Sequence, residues 1–378
     1  MRARNAFILV LGFLLSIALA ACGSSGGSSS GSEAGTGTLS VSLADSTLER
    51  CKAVYVTIDE VKVHGSGGWR RLETTNPYRT HNLLELQNGV REELGIADLE
   101  EGRYTQMRLI IGDIPDGGHP SANYIIDEND QYHDLKIPSG YQSGIKIVHG
   151  IEIRSGENTE LILDFCASDS IVTPGHDGEW LLKPTIKVID TDNYSVISGL
   201  VTENGTTPLE GVFVSAQIPA FSPQDRVVVQ ALTQTEQDGT YSIFLNPGVY
   251  NIVAYIDGYY PVCVERVVAS PAADYLIDDL VLTSLPAPPG TLQGTVHIDG
   301  GIAESHATLS FRQSEKCGID DIEVKSLNVA QDGTYSVDLP EGTYYVTAST
   351  VDGVTELYPG IDVTSGDITT LDITIPLP

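Results

Sequence analysis

The sequence predicts a mainly β protein, with an N-terminal β-rich domain followed by two seven-stranded antiparallel Greek-key β-sandwiches. Apolar residues recur at every second position, as in Leu39, Val41 and Leu43, and this is the period of a half-buried strand. A stretch of the C-terminal half repeats at a constant offset, which indicates two copies of one domain. The chain contains 38 Gly and 19 Pro with 41% hydrophobic residues, a composition that favours short strands joined by turns over disorder.

The first 21 residues have the pattern of a signal peptide. Arg2 and Arg4 precede an apolar run over residues 6–19, and the small residues Ala20 and Ala21 follow. A positive start, a short apolar stretch and small residues at the end are typical of such peptides. The run is shorter than the roughly 20 apolar residues that span a bilayer. We therefore expect this segment to be removed rather than kept as a membrane helix.

The motif Leu19-Ala20-Ala21-Cys22 resembles the lipobox of bacterial lipoproteins. The resemblance implies that Cys22 carries a lipid that holds the protein to a membrane. Residues 22–37 are nearly all Gly and Ser, which predicts a flexible tether behind the anchor. Gly23 rather than Asp follows the cysteine, and this resembles outer-membrane sorting. We therefore expect an extracytoplasmic protein at the outer membrane or cell surface rather than at the inner membrane.

Acidic residues outnumber basic residues by 51 to 21, which gives a formal net charge of −30. Removal of residues 1–21 takes away Arg2 and Arg4 and no acid, so the charge becomes −30 − 2 = −32. Such a surface repels phosphates, and nucleic acid is therefore excluded as a partner. The excess of carboxylates suits either a soluble exported protein or a calcium-binding protein.

Four further cysteines, Cys51, Cys166, Cys263 and Cys317, are expected to lie in an oxidising compartment where disulfides form. Two pairings stay open. A Cys51–Cys166 bond would lie within the first domain, whereas a Cys263–Cys317 bond would join the two sandwiches and set the angle between them. The spacing of the cysteines and histidines matches no zinc or haem motif.

The first predicted domain covers residues 38–190. The parity of its apolar residues changes after Ile58, so Asp59-Glu60 predicts a bulge or bend in that strand. Further strands are predicted over residues 105–111, 145–153, 161–165 and 181–188. Candidates for short helices are residues 81–86 and 90–99.

Several short motifs of this domain occur in the order typical of the domain of unknown function 4382, a family of bacterial surface lipoproteins. The motifs that carry the resemblance are Gly37-Thr-Leu-Ser-Val-Ser-Leu-Ala-Asp45, Ala53-Val-Tyr-Val-Thr-Ile-Asp59, Asn82-Leu-Leu-Glu-Leu86, Gly102-Arg-Tyr-Thr-Gln-Met-Arg-Leu109, Ile137-Pro-Ser-Gly140, Leu161-Ile-Leu-Asp-Phe165 and Leu182-Lys-Pro184. Cys166 departs from the family pattern, in which an acidic residue more usually follows the Phe. The resemblance implies a surface location and no particular activity.

Two motifs recur in the C-terminal half. Gln237-Asp-Gly-Thr-Tyr-Ser242 returns as Gln331-Asp-Gly-Thr-Tyr-Ser336, and Pro247-Gly-Val-Tyr250 returns as Glu341-Gly-Thr-Tyr344, both at an offset of 94 (331 − 237 and 344 − 250). Each Asp-Gly predicts a hairpin turn, and each copy opens with a strand that contains a glycine. Residues 194–284 and 290–378 are therefore predicted to form two small sandwiches.

The order of an opening Gly, then Asp-Gly-x-Tyr, then Gly-x-Tyr resembles the carboxypeptidase regulatory-like domain. Its opening glycines here are Gly199 and Gly294. That domain has a transthyretin-like fold that is also described as carbohydrate-binding-like. The resemblance implies a spacer or binding module that serves another domain.

Two short patterns invite an enzymatic interpretation. His149-Gly-Ile-Glu152 matches the His-x-x-Glu of zinc carboxypeptidases, but strand alternation would put His149 on the apolar face and Glu152 on the opposite face. Ser143-Gly-Ile-Lys146 matches a Ser-x-x-Lys pair that works from a helical turn, whereas this segment enters a predicted strand. We therefore predict that the protein is not an enzyme.

Two acidic clusters are candidates for calcium sites, because closely spaced carboxylate and amide oxygens are the ligands that Ca²⁺ prefers. They are Asp127 with Asp130, and Asp190 with Asp192 and Asn193. Neither cluster matches a full calcium-loop pattern. A solvated turn is the alternative interpretation of each.

Aromatic residues near turns are candidates for ligand stacking. Trp69 follows a Gly-rich turn, and Tyr259 and Tyr260 lie beside Gly258 with Tyr255 just before them. Such rings stack on sugars or on protein partners. The alternative is that they pack at strand edges.

Three functions follow as hypotheses. The first is a non-catalytic, membrane-anchored surface or periplasmic lipoprotein without a cofactor, whose domains bind a glycan or protein partner or act as spacers. The second is an enzyme, or an enzyme accessory, with active groups in the N-terminal domain. The third is an adhesion protein stabilised by calcium.

Overall fold

Alternating apolar and polar residues build this protein almost wholly from strands, and the fold is mainly β as predicted. The computed structural model describes residues 35–45, 51–74, 79–138, 144–173, 179–219, 227–271, 273–302, 305–350 and 353–376. The chain from Gly35 onward forms one compact unit. Cys22, the predicted signal peptide, most of the predicted tether and Ser143 lie outside the described residues.

The N-terminal domain contains a single helix, α1 (Ala167–Ser170), and two short 3-10 helices, Leu83–Glu85 and Thr191–Asn193, within its described residues. Its strands are β1 (Thr36–Ala44), β2 (Cys51–Gly65), β3 (Gly68–Arg71), β4 (Thr80–Asn82), β5 (Glu92–Glu100), β6 (Gly102–Tyr104), β7 (Gln106–Ile111), β8 (Tyr124–Asp127), β9 (Tyr132–Lys136), β10 (Ile145–Ile147), β11 (Ile151–Ile153), β12 (Asn158–Phe165), β13 (Ile171–Val172), β14 (Trp180–Leu182) and β15 (Ile186–Asp190).

Two sheets of this domain share one apolar core. One sheet has the order β15-β12-β1-β5, and the other has the order β10-β7-β2-β8-β9-β14-β13, with β3 and β4 also paired to β2. Strand β1 contributes Leu39, Val41 and Leu43 to the core, and β2 contributes Val54 and Val56, all of them fully buried. The period of two turns one face of each strand inward.

The predicted bulge at Asp59-Glu60 is confirmed. The register of β2 against β7 shifts between Ile58 and Glu60, so Asp59 is the extra residue on the bulged strand. The bulge explains why the apolar parity of β2 changes at this point in the sequence.

The predicted tether, residues 22–37, is too long at its C-terminal end, because β1 begins at Thr36. Gly37 pairs with Leu99 of β5. A Cβ at this position would lie 2.3 Å from the carbonyl oxygen of Arg154. Gly37 therefore allows a close approach of two backbones rather than flexibility.

The predicted helix over residues 90–99 is wrong, because this segment forms β5. Strand β5 pairs along β1 in antiparallel register, from Thr36 opposite Glu100 to Leu43 opposite Glu92. The long ladder with β1 outweighs the local preference of a Glu- and Leu-rich segment for helix. Residues 81–86 contain only a single 3-10 turn, Leu83–Glu85.

The strand predicted over residues 145–153 is also interrupted. Strand β10 pairs with β7, whereas β11 pairs with β6. His149 lies half-buried in the break between them, next to the exposed Val148. The predicted place of His149 on an apolar strand face is therefore wrong.

The C-terminal part forms two similar β structures, each made of two sheets. The strands of the first are β16 (Ser195–Glu203), β17 (Thr207–Pro208), β18 (Phe213–Pro219), β19 (Val227–Gln234), β20 (Thr240–Leu245), β21 (Gly248–Tyr255), β22 (Val262–Ala269), β23 (Ala273–Leu276) and β24 (Leu280–Leu282). The strands of the second are β25 (Gly290–Ile298), β26 (His306–Cys317), β27 (Asp320–Ala330), β28 (Thr334–Leu339), β29 (Gly342–Thr350), β30 (Thr355–Val363), β31 (Ile368–Thr370) and β32 (Ile373–Ile375).

Each of the two structures is a sandwich with one parallel edge. The sheet β19-β18-β21-β22 corresponds to β27-β26-β29-β30, and β17-β16-β20 corresponds to the pair β25-β28. The last two strands of each copy, β23 with β24 and β31 with β32, run parallel to the first strand. The antiparallel pattern that we predicted therefore holds for all but this edge, whereas the predicted number of seven strands is wrong, because the described residues form nine strands in the first copy and eight in the second.

The opening glycine and the Asp-Gly-Thr-Tyr motif recur together because they touch. Gly199 pairs with Tyr241, and Gly294 pairs with Tyr335. A Cβ at position 199 would lie 2.6 Å from the Tyr241 hydroxyl, and one at position 294 would lie 2.0 Å from the carbonyl oxygen of Leu371. Gly199 thus leaves room for the buried ring of Tyr241, and Gly294 leaves room first for the backbone of Leu371.

The Gly-x-Tyr motif also has a physical cause, and it occurs in all three domains. The hydroxyls of Tyr104, Tyr250 and Tyr344 donate to the carbonyl oxygen four residues earlier, at distances of 3.2, 2.9 and 2.9 Å. This is the geometry of a tyrosine corner, in which a buried phenol ties a turn to the strand that follows. Burial raises the pKa of all three phenols.

We predict that Gly199→Ala lowers the free energy of unfolding by about 1–3 kcal/mol, the usual cost of overpacking. The Tyr241 hydroxyl is buried without a hydrogen-bond partner among the described residues, so Tyr241→Phe should be well tolerated. Because the clash involves that hydroxyl, the double variant should recover part of the loss. Urea unfolding of the three variants tests this, and a double variant as unstable as the sum of both changes contradicts it.

Candidate functional site

The polar contacts between domains are the main feature from which a function can be argued, since each domain contacts the other two. Asn88 joins the N-terminal domain to the first sandwich. Its Nδ2 donates to the Gln234 carbonyl at 2.7 Å and to the Glu236 carboxylate at 2.8 Å. Its Oδ1 accepts from the Thr233 hydroxyl at 2.9 Å and the Ser242 N–H at 3.3 Å. One amide therefore uses its donor and acceptor groups across the interface.

Two cations and an aromatic ring extend the same interface. Lys187 Nζ donates to the carbonyl oxygens of Val229 and Gln230 at 3.2 and 2.8 Å. The Arg91 guanidinium lies 5.6 Å from the ring centre of Phe244. That ring also packs at 5.5 Å against Tyr194, in the segment that links the two domains.

The N-terminal domain meets the second sandwich through a buried histidine. Lys183 Nζ lies 2.8 Å from His306 Nδ1, and the Thr173 hydroxyl donates to the Asn328 carbonyl at 2.7 Å. Burial, together with the charge of Lys183, lowers the pKa of His306 to about 4. His306 is therefore neutral at pH 7 and accepts from the ammonium of Lys183.

The two sandwiches are joined by a disulfide and by a paired amide. Cys263 and Cys317 form the disulfide, with their Cα atoms 5.5 Å apart. Gln217 Nε2 donates to the Glu323 carbonyl at 2.8 Å, and the Glu323 N–H donates back to Gln217 Oε1 at 2.9 Å. Lys325 forms an ion pair of 2.6 Å with Asp257.

Of the two pairings that the sequence left open, the Cys263–Cys317 bond forms and the Cys51–Cys166 bond does not. Cys51 and Cys166 are thiols, not partners in a bond. Cys51 begins β2 in one sheet, whereas Cys166 follows β12 in the other sheet, with its Sγ directed at Asp164. Burial, and next Asp127 and Glu128, raise the pKa of Cys51 to about 12, so this thiol is unreactive at neutral pH.

The two candidate calcium clusters are engaged in local hydrogen bonds. Asp127 accepts from the N–H groups of Asn129 and Gln131 at 2.9 and 2.8 Å and contacts His133 at 3.0 Å, while Asp130 pairs with Lys52 at 2.6 Å. Within the part of the chain that the structure describes, no group of three His, Cys, Asp or Glu residues is placed to hold a metal ion.

The second cluster lies at the end of β15. Asp190 caps the short 3-10 helix Thr191–Asn193, because its side chain accepts from the Asp192 N–H at 3.0 Å. Asp192 and Asn193 are exposed. The cluster is thus built as a turn between β15 and β16.

The candidate stacking residues differ in how far their rings are available. Trp69 is 39% exposed, but the Arg108 guanidinium lies 4.8 Å from its ring centre. Tyr260 is also 39% exposed, Tyr259 packs against the core of the first sandwich, and Tyr255 is buried beneath Lys325. Tyr260 is therefore the most accessible tyrosine of this group.

Sequence reasoning missed a row of aromatic rings on the outer face of β2, β8 and β9. Tyr55 stacks on Tyr124 with ring centres 4.6 Å apart, and Tyr124 packs at 5.1 Å against Tyr132. The Tyr124 hydroxyl lies 2.9 Å from His119 Nδ1. Burial raises the pKa of Tyr124 to about 12. These contacts between rings stabilise the sheet, and Tyr132 at the end of the row is 42% exposed.

A polar network beside this row holds the loop of residues 112–123 against the sheet. The guanidinium of Arg79 pairs with Asp59 and lies 3.7 Å from Asp116. Asn123 accepts from the Thr57 N–H at 3.1 Å and donates to the carbonyl of the loop's first residue at 2.7 Å. Thr57 contacts the loop directly, and the bulged Asp59 contacts it through Arg79. In the sequence, the change of apolar parity after Ile58 was the only sign of this network.

A cavity of about 460 Å³ lies at one end of the second sandwich. It is lined by Gln313 and Lys316 of β26, by Tyr344 of β29 and by Leu357 and Pro359 of β30, among others. Gln313 is 3% exposed, and its Oε1 has no hydrogen-bond partner among the described residues. A volume of this size is in the range of small-ligand pockets, roughly 300–1,000 Å³.

Comparison with known families identifies the N-terminal domain. A model described as "Domain of unknown function (DUF4382)" matches residues 36–184. The predicted resemblance is confirmed over that range, and the match names no activity. No curated protein matches the chain.

Comparison with solved structures finds matches of low sequence identity, two of them pilins. The Bacillus anthracis TIE protein is 16% identical over 90% of this chain and 51% of that chain, with a TM-score of 0.20. A Streptococcal ancillary pilin is 12% identical over 89% and 99%, with a TM-score of 0.19. GBS52, the minor pilin of Streptococcus agalactiae, is 14% identical over 49% and 97%, with a TM-score of 0.18. The chain thus spans about half the length of the TIE protein, and at such TM-scores its function has to be argued from its own residues.

Within the described segments, no helix is long and apolar enough to cross a bilayer.

We predict that acid weakens the contact between the N-terminal domain and the second sandwich. His306 has a pKa of about 4 when folded and 6.5 when unfolded, so the unfolded chain binds more protons between these values. The free energy of unfolding should therefore fall as the pH falls through this window, by about 2 kcal/mol between pH 8 and pH 5. Urea unfolding at several pH values measures this, and His306→Gln should remove the share due to His306, since burial also lowers the pKa of His81. His149→Gln is the matched control, and an equal loss of pH dependence in both variants contradicts the assignment.

We predict that the disulfide between the sandwiches contributes to stability. Its 54-residue separation corresponds to about 4 kcal/mol in the chain-entropy model. A reductant should lower the urea midpoint of the wild type, and the Cys263→Ser, Cys317→Ser variant should not respond. A Cys51→Ala, Cys166→Ala variant should respond like the wild type. If the Cys51→Ala, Cys166→Ala variant no longer responded to the reductant, this result would contradict the Cys263–Cys317 bond.

Proposed function

We propose that this protein is a lipid-anchored extracytoplasmic protein without catalytic activity, which presents three β domains as one rigid unit and binds a glycan or protein partner. The observation that carries the proposal is the Cys263–Cys317 disulfide, which joins two separate domains. Disulfides persist in oxidising compartments and are rare in the cytosol. The signal-peptide pattern and the motif at Cys22 support the same location and supply the membrane anchor.

The contacts between domains support a rigid unit rather than a flexible row of spacers. Asn88 and Lys187 hold the first sandwich, and Lys183 and Thr173 hold the second sandwich, to the same N-terminal domain. The disulfide joins the two sandwiches to each other, so that each domain is held to the other two. A ligand site on any one domain is then held in a constant orientation to the others, which lowers the entropic cost of binding.

The alternative functions have less support in the geometry. The acidic groups proposed for calcium accept hydrogen bonds within their own turns, as Asp127 and Asp190 do. His149 and Glu152, which would belong to an enzymatic interpretation, lie in a strand break and in β11. We therefore keep the non-catalytic binding function as the proposal.

We predict that cells grown with an alkyne-labelled fatty acid incorporate the label into the wild-type protein, because Cys22 is acylated. Cys22→Ser should abolish the labelling and release the protein from the membrane fraction. Cys51→Ser is the matched control and should be labelled like the wild type. Full labelling of the Cys22→Ser variant would refute the anchor.

A further inference from the structure

Four basic side chains form a row across the outer face of the larger sheet of the N-terminal domain. Lys62 of β2 lies opposite Arg71 of β3 on one side and opposite Arg108 of β7 on the other side. Arg108 in turn lies opposite Lys146 of β10. The apolar neighbours of Lys62, Arg108 and Lys146 along their strands are buried in the core. Because side chains alternate along a strand, the row lies on the outer face of the sheet.

The row places like charges next to one another in a protein that has few cations. Like charges directly opposite each other destabilise a sheet. Glu60 pairs with Lys62 and lies 3.2 Å from Arg71, which offsets part of this repulsion. The five side chains still carry a formal charge of 4 − 1 = +3, whereas the chain without residues 1–21 carries −30 − 2 = −32. Such a local excess of positive charge is expected where an anionic partner offsets it.

The neighbouring row of the same face adds aromatic and apolar surface. Trp69 lies opposite His64, and its ring is 39% exposed with the Arg108 guanidinium 4.8 Å from its centre. Val148, directly after β10, is 75% exposed. Tryptophan is enriched where a membrane meets water, because its ring is apolar and its N–H is polar. Cations beside an exposed tryptophan therefore favour a charged lipid surface as the partner.

The chain leaves the N-terminal domain close to this face. Gly35, the first described residue, accepts a hydrogen bond from the Glu101 N–H at 2.7 Å, and the Thr105 N–H donates to the His64 carbonyl at 3.0 Å. The four steps from Glu101 to Thr105 span at most about 14 Å. Cys22 precedes Gly35 by 35 − 22 = 13 residues, which reach at most roughly 45 Å. A lipid on Cys22 would therefore keep the face within reach of the membrane.

We propose that this basic face, made of Lys62, Arg71, Arg108 and Lys146 with Trp69, docks the N-terminal domain on anionic lipid headgroups of the membrane that holds the Cys22 anchor. The inference rests on the proposed function, since the anchor supplies the membrane, and it adds a second contact that fixes which side of the protein meets the lipid. Because the chain as a whole is acidic, an anionic membrane repels its other surfaces and attracts this face.

A soluble acidic polymer is the competing partner, since it would also satisfy the four cations. The tether favours the membrane over such a polymer. A partner joined through a short chain is present at a high effective concentration, whereas a free polymer has to be captured from solution. The membrane also gives the exposed ring of Trp69 an environment that is partly apolar.

The test uses the lipidated full chain with Trp180→Phe, which leaves Trp69 as its one tryptophan because the sequence has 2 Trp. The protein is reconstituted on vesicles of brominated phosphatidylcholine, alone or mixed two to one with phosphatidylglycerol. Bromine quenches a tryptophan that lies at the membrane. Trp69 should be quenched on the vesicles that contain phosphatidylglycerol and not on phosphatidylcholine alone, and high salt should reverse the quenching because it screens the charges.

Charge variants measure the contribution of the row. Lys146→Gln should lower the ratio of docked to undocked protein about fivefold, the effect of about 1 kcal/mol for one cation at an anionic surface. Lys146→Glu changes the charge by two and should lower the ratio about 25-fold. Lys316→Gln is the matched control, since Lys316 is an exposed lysine of the second sandwich, and it should change nothing. Lys146 is exposed as well, and the urea midpoint shows that its variants fold.

Equal quenching of Trp69 on both kinds of vesicle, no quenching on either kind, or a Lys146→Glu variant that is quenched like the wild type would overturn the docking. Binding of polyglutamate or polygalacturonate in solution, with Trp69 unquenched on the vesicles, would assign the face to a soluble polymer and would also overturn it. Flotation with phosphatidylcholine vesicles reports the anchor separately. Protein that floats with them without any quenching keeps the anchor and loses the docking, whereas protein that is quenched only with phosphatidylglycerol and does not float with phosphatidylcholine keeps the docking and refutes the anchor.

Discussion

Each of the three domains contacts the other two, and the rest of the structure depends on this constraint. Residues 283–289 connect β24 to β25 along the chain, and contacts outside this linker also set the angle between the two sandwiches. The Cys263–Cys317 bond and the Gln217–Glu323 amide pairing restrict that angle. The N-terminal domain can then contact both sandwiches at once, because they present their surfaces in a constant arrangement.

The chemistry of the interfaces reflects the charge of the chain. With 51 acidic and 21 basic residues, domains of this protein repel one another unless their contacts are neutral or carry the scarce cations. Asn88 and Gln217 provide neutral amides, and Lys183, Lys187 and Lys325 provide cations. Amides at these positions make specific contacts without adding charge, and the lysines are paired with a histidine, with carbonyl oxygens and with a carboxylate.

The repeated motifs show how local sequence and tertiary packing agree. The opening glycine is needed where a tyrosine of the paired strand lies against it, as Tyr241 lies against Gly199. The Gly-x-Tyr motif is needed because its phenol reaches the carbonyl four residues earlier, as Tyr104, Tyr250 and Tyr344 do. The N-terminal domain ties a turn to a strand with the same hydrogen bond. The second sandwich differs at its open end, where Gln313 lines a cavity.

The mainly β class, the repeat and the bulge at Asp59 followed from the sequence by itself, because the period of two and the spacing of Gly and Tyr are local properties of the chain. The tertiary structure alone decided that residues 92–100 form a strand, since the long ladder with β1 outweighs their helix preference. It also decided the cysteine pairing and the contacts of Asn88 and His306. The partners of these residues are distant in the sequence, and no local pattern records which surfaces meet.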